Sequence, residues 1–144
     1  MPLVNIDDAR GLIQKAGSGL ARNGSVISAS APDLDSLYLC ADIVDISGAA
    51  NNAIVTCPVD GNLVAVYAVL SAATPGGTAT FTIKVNGTGS TTLVFASGAA
   101  LGDVQSNTSL AMPVTAGQNI MLDNDGGASN PRRINVVFVV EHTS

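Results

Sequence analysis

The sequence predicts an all-β chain, an antiparallel sandwich of eight strands behind a short N-terminal helical arm, and three observations carry that expectation. From Leu37 onward the hydrophobic period is two, with β-branched residues prominent. Turn signals recur at short intervals: Ser47-Gly48, Asp60-Gly61, Pro75-Gly76-Gly77, Asn86-Gly87, Ala116-Gly117 and Asp125-Gly126-Gly127. The opening residues instead carry helical spacing and a Gly/Ser-rich tether. The 144 residues suffice for one buried core. The expected division is an arm over residues 1–32 and a β-domain over 33–144.

The arm comes first. Ile6, Ala9, Leu12, Ile13 and Ala16 recur at helical spacing, with Asn5 or Asp7 as cap, Lys15 in the last turn and Gly17 as stop. Gly11 costs such a helix about 1 kcal/mol relative to Ala. About ten residues make a helix marginal alone, so its apolar stripe is expected to dock on a partner. Gly17-Ser18-Gly19 and Asn23-Gly24-Ser25 read as a flexible connector.

Strands are expected at residues 37–46, 53–59, 62–71, 78–86, 91–96, 109–113, 119–124 and 134–142. In the fourth, Ala79, Phe81, Ile83 and Val85 alternate with Thr78, Thr80, Thr82 and Lys84, giving one core face and one wet face. Residues 63–70 and 136–140 are apolar on both faces, which implies strands covered on both sides or packed against another subunit. Asp60-Gly61 and Asn86-Gly87 read as hairpin turns.

Composition narrows the function. Only 12% of residues are charged and 3% aromatic, with no Trp, while 47% are hydrophobic. So few charges imply a surface of neutral Ser, Thr, Asn and Gly, or one covered by partners, and favour an oligomer or assembly component. A net charge of −5 repels phosphate backbones, so no nucleic-acid partner is expected. Eight acids stand between Asp33 and Asp125 against Lys84 alone, and weakly basic ends flank this acidic middle. Arg132 and Arg133, after Pro131, are candidates for contact with an acidic neighbour; the competing reading is a solvated loop. No basic segment leading into an apolar one opens the chain, and residues 63–73 are too short to span a bilayer as a helix, so no membrane partner is expected.

The chemistry-bearing residues are sparse. The single histidine, His142, lies beside Glu141 at the chain's end, a poor place for a triad, so no catalytic residue is expected. Cys40, Cys57 and His142 have no zinc-site spacing, and no metal or cofactor is expected. The cysteines read as buried free thiols, with a disulfide between neighbouring strands as the alternative. Asp123-Asn124-Asp125-Gly126-Gly127 offers the oxygens of a calcium loop but lacks the later bidentate Glu, and reads as a turn. Gly87-Thr88-Gly89-Ser90 precedes a strand rather than the helix of a phosphate cradle. A sugar site would need an exposed aromatic ring; most of Tyr38, Tyr67, Phe81, Phe95 and Phe138 are expected to face the core, and Tyr38 is the candidate.

Three stretches carry a resemblance. The run Val55-Thr56-Cys57-Pro58-Val59-Asp60-Gly61 continuing to Leu70, the strand Ala79 to Val85 ending in Asn86-Gly87-Thr88, and Val114-Thr115-Ala116-Gly117-Gln118-Asn119-Ile120 before a Val-rich last strand resemble capsid decoration, or cement, proteins of tailed bacteriophages. The resemblance covers roughly residues 53–142. It implies a non-enzymatic jelly-roll subunit, a homotrimer on the outer surface of a phage head in the virion, made in the host bacterial cytoplasm. Such a subunit bridges neighbouring major capsid proteins, with the arm's Ile6, Ala9, Leu12 and Ile13 and the Arg132-Arg133 pair as docking residues. The alternative is a glycan-adhesive jelly-roll module of a phage tail or head fibre.

Overall fold

The computed structural model describes residues 20–23, 26–29, 36–73 and 76–143. The chain falls into two units, Met1–Leu34 and Asp35–Ser144. In the first, β1 (Leu20–Asn23) and β2 (Val26–Ala29) pair antiparallel, with Asn23 opposite Val26. These two strands are not among those expected from the sequence; the connector's Gly17, Ser18, Gly19, Gly24 and Ser25 lie outside the described residues. The expected helix, with Ile6, Ala9, Leu12 and Ile13, lies outside the described residues.

The second unit is a β-sandwich of two antiparallel sheets. Its strands are β3 (Ser36–Ile43), β4 (Ala53–Thr56), β5 (Gly61–Leu70), β6 (Ala79–Val85), β7 (Thr88–Phe95), β8 (Val104–Asn107), β9 (Met112–Val114), β10 (Asn119–Asn124) and β11 (Ile134–His142). One sheet has the order β4-β10-β6-β7; the other has β3-β11-β5-β8, with the short β9 also on β5. Consecutive strands mostly cross between the sheets, which sets chain-distant strands side by side.

Alternation builds the core. β6 buries Ala79, Phe81, Ile83 and Val85 and leaves Thr80, Thr82 and Lys84 half-buried on the other face. Opposite it, β11 buries Ile134, Val136, Phe138 and Val140, while β5 contributes Leu63, Val66, Ala68 and Leu70. Phe81 and Phe95 meet edge to face, with ring centroids 6.1 Å apart and planes at 84°. That geometry is worth about 1 kcal/mol beyond the burial.

Two turn expectations part company here. Val85 pairs with Thr88, and Asn86 and Gly87 have φ of 48° and 81°, so this is the expected two-residue hairpin. Asp60-Gly61 is not a hairpin, because β4 and β5 lie in different sheets. Glycine is needed at position 61 for another reason: a Cβ there would stand 2.3 Å from the Glu141 carbonyl oxygen on β11. Asp60 braces the corner, its Oδ1 accepting from the Ala116 amide at 2.8 Å. The sequence expectation also omits β8 and begins β9 three residues early.

The candidate binding face

The two outer faces of the sandwich differ in chemistry. On the β4-β10-β6-β7 sheet, Thr80, Thr82, Thr92 and the Lys84–Asp123 ion pair keep the surface polar, with Ile54, Met121 and Val94 scattered among them. The other sheet carries an apolar patch on its outer face, between polar residues at either end.

Strand register fixes that second face in four rows, of which the last, Ser36, Glu141 and Asn62, is polar. Tyr38, Val139 and Ala65 form the first; Cys40, Val137, Tyr67 and Ser106 the second; Asp42, Asn135, Val69 and Val104 the third. A register shift between Val139 and Val140 keeps Ala65 in line with this face. Tyr38 is 65% exposed, Tyr67 41% and Val104 56%, so the rings and an aliphatic side chain stand in solvent on one surface. Val137 and Val69 are half-buried between them, and Val139 and Ala65 are buried. Tyr38 and Tyr67 sit two strands apart and two residues out of line, which separates their Cα atoms by about 12 Å on standard sheet spacings.

Few charges touch this surface. Asp42 pairs with Arg133 at 2.8 Å at one end of it, and Glu141 is exposed at the other. Arg132 turns back on its own loop, its Nε donating to the Ala73 carbonyl and one terminal nitrogen to the Pro131 carbonyl, each at 2.6 Å. Both arginines proposed for docking therefore have partners within the chain.

The other sequence candidates are dispersed. Cys57 is buried and its thiol donates to the Val59 carbonyl at 3.3 Å, whereas Cys40 is exposed on the apolar face; both are free. The expectation that both thiols are buried fails for Cys40 because it shares the outward parity of β3 with Tyr38 and Asp42. His142 and Glu141 are exposed at the end of β11. The calcium-like run splays apart along β10 and beyond. Asp123 pairs with Lys84, buried Asn124 donates to the Gly48 carbonyl, and Asp125 accepts from the Thr80 and Gly127 amides. These oxygens are spent on the fold rather than gathered on a point. Among the described residues no three His, Cys, Asp or Glu side chains are grouped to hold a metal, and no helix is long and apolar enough to cross a membrane. In the neighbouring loop the Ser47 hydroxyl and amide both donate to Asp45, which holds its carboxyl below the usual aspartate range.

Tyr67 is the residue that sequence reasoning missed. A continuous apolar run does not reveal which of its two parities faces out, and only the pairing with β11 does.

No protein-family model and no curated protein matches the chain. Similar solved structures include the catalytic unit of a thermostable GH87 alpha-1,3-glucanase from Streptomyces thermodiastaticus strain HF3-3, at 15% identity and TM-score 0.49, covering 78% of this chain. This chain spans only 27% of that glucanase chain. The CBM36-1 domain of a multidomain xylanase from the hindgut metagenome of Trinervitermes trinervoides is similar at 10% identity and TM-score 0.47, over 69% of this chain and 96% of that one. The carbohydrate-binding module CBM36 in complex with calcium and xylotriose is similar at 18% identity and TM-score 0.43, over 69% and 76%.

Proposed function

We propose that the chain is a non-enzymatic, glycan-adhesive module whose working surface is the outer face of the β3-β11-β5-β8 sheet. The observation that carries this reading is the pair of solvent-exposed rings, Tyr38 and Tyr67, on one aliphatic surface. Sugar rings present flat C–H faces that pack on aromatic rings, while a phenol hydroxyl at the rim can bond sugar hydroxyls. The alternating connections β3-β11-β5-β8 and β4-β10-β6-β7 support reading the sandwich as an eight-stranded jelly roll with β9 as a short addition.

Size separates this from a protein partner on the same face. Four strands by five residues give about 350 Å² on standard sheet spacings. A standard protein interface takes about 800 Å² from each side. A short oligosaccharide needs less, so the face is matched to a few sugar units.

A glycan array followed by affinity electrophoresis tests the reading. Tyr38→Ala and Tyr67→Ala are each expected to weaken binding by roughly tenfold, and Thr82→Ala on the opposite sheet is expected to leave it unchanged. Absence of glycan binding, or tyrosine variants that bind like the parent, removes the proposal.

The second reading is a phage capsid decoration protein docked on the major capsid protein. The aliphatic half of the same face, Val69, Val104 and Val137, favours it. The shortfall in area is then met by the arm residues Ile6, Ala9, Leu12 and Ile13, and by lattice-wide multivalency.

A further inference from the structure

We propose that β3 is a self-association edge, pairing antiparallel with the β3 of a second copy across a two-fold axis centred on Cys40. The sandwich has four sheet edges, and three of them are blunted. β4 and β8 are four residues long. β7 carries a register shift between Ile83 and Lys84 and the glycine of Thr88-Gly89. β3 is different: eight residues, Ser36–Ile43, in unbroken register with β11 and, among the described residues, with no strand on its other side. It contains no Pro and no Lys, the usual protections of a lone edge, and its one charge, Asp42, is paired with Arg133. In an antiparallel strand alternate residues aim both N–H and C=O away from the existing partner, so one side of β3 is an open template.

The side chains agree with the backbone. Leu37, Leu39 and Ala41 point to the core but are only partly buried, whereas Val136, Phe138 and Val140 beside them on β11 are at 1% exposure or less. Among the described residues the core is open along this edge, and a further strand would close it.

The occupant is a second copy because the strand is complementary to itself. Facing residues in an antiparallel pair share a side of the sheet, so a two-fold centred on Cys40 sets Leu39 against Ala41, Leu37 against Ile43 and Tyr38 against Asp42 of the second copy. Large meets small or branched on the core side, and a phenol meets a carboxylate on the outer side. The contact joins the two apolar faces into one surface with four tyrosines. It is independent of what that surface binds.

The two Cys40 residues are then directly opposed, at the roughly 5 Å Cα separation of facing antiparallel residues, within disulfide range. Sedimentation analysis of the full chain under reducing conditions is expected to give a dimer. Diamide, which accepts the two hydrogens released, is expected to convert it to a covalent dimer that Cys40→Ser cannot form while still sedimenting as a dimer. Cys40→Lys changes an exposed position, so the fold persists, but it opposes two charges on the axis and shifts the mass to monomer. A monomeric or trimeric parent, a Cys40→Lys variant that remains dimeric, or failure of the parent to cross-link each overturns the pairing.

Discussion

Phe138 shows how one position ties the two sheets together. It is fully buried on β11, between Leu39 of β3 and Val66 of β5, and faces the layer that holds the Phe81–Phe95 pair. With only five aromatic rings in the chain, the small Ala and Val side chains around it cannot refill its volume. Phe138→Ala is therefore expected to cost about 3–5 kcal/mol, read as a lower midpoint in urea unfolding at unchanged slope. Tyr38 and Tyr67 are the opposite case. They stand in solvent and add little to the fold, so their loss is expected to register in binding and not in stability.

The β6-β7 hairpin was the most legible element. Strict alternation from Ala79 to Val85 and the Asn-Gly pair fix strand, face and turn together. Gly87 holds φ at 81° with open space around it, so Gly87→Ala meets no clash and pays only for backbone strain. About 1 kcal/mol of lost stability is expected by thermal or urea unfolding. Where legibility failed, the physics is local. Val104-Gln105-Ser106-Asn107 has one apolar residue and lies at an edge, so β8 carries no hydrophobic pattern to read. Asp60-Gly61 has hairpin chemistry but leads from one sheet to the other, and turn residues do not encode the destination of the following strand. The two apolar strands β5 and β11 were recognised as such, yet their parity, and with it the exposure of Tyr67, came only from pairing.

At the scale of the molecule, low charge is distributed with a purpose. The Lys84–Asp123 pair and the threonines lie on one outer face, and the other keeps its ion pair, Asp42–Arg133, at one end. The glycan and capsid readings use this asymmetry differently. On purified phage heads, the capsid reading expects many copies of this chain per particle by quantitative mass spectrometry. It also expects Leu12→Ser with Ile13→Ser to abolish attachment while the circular dichroism of the sandwich is retained. The glycan reading expects that double variant to bind sugar as the parent does. The expected arm, and with it Ile6 and Ala9, is a periodic pattern of the sequence and lies outside the described residues.

The register shift at Val139 has a consequence for how the protein tolerates change. Val139 and Val140 alternate across the sheet as neighbours on a strand do, in step with Ala65 and Leu63 of β5, which leaves Val64 as the odd residue between them. Val64 gives its carbonyl to the Leu110 amide, so the slack is taken up by the segment leading into β9. A deletion of Val64 would restore a perfect ladder with Leu63 and Ala65 on the sides they now occupy, because their partners Val140 and Val139 already alternate. The extra residue thus resets the parity of the longest strand, from Gly61 and Leu63 buried before it to Val66, Ala68 and Leu70 buried after it.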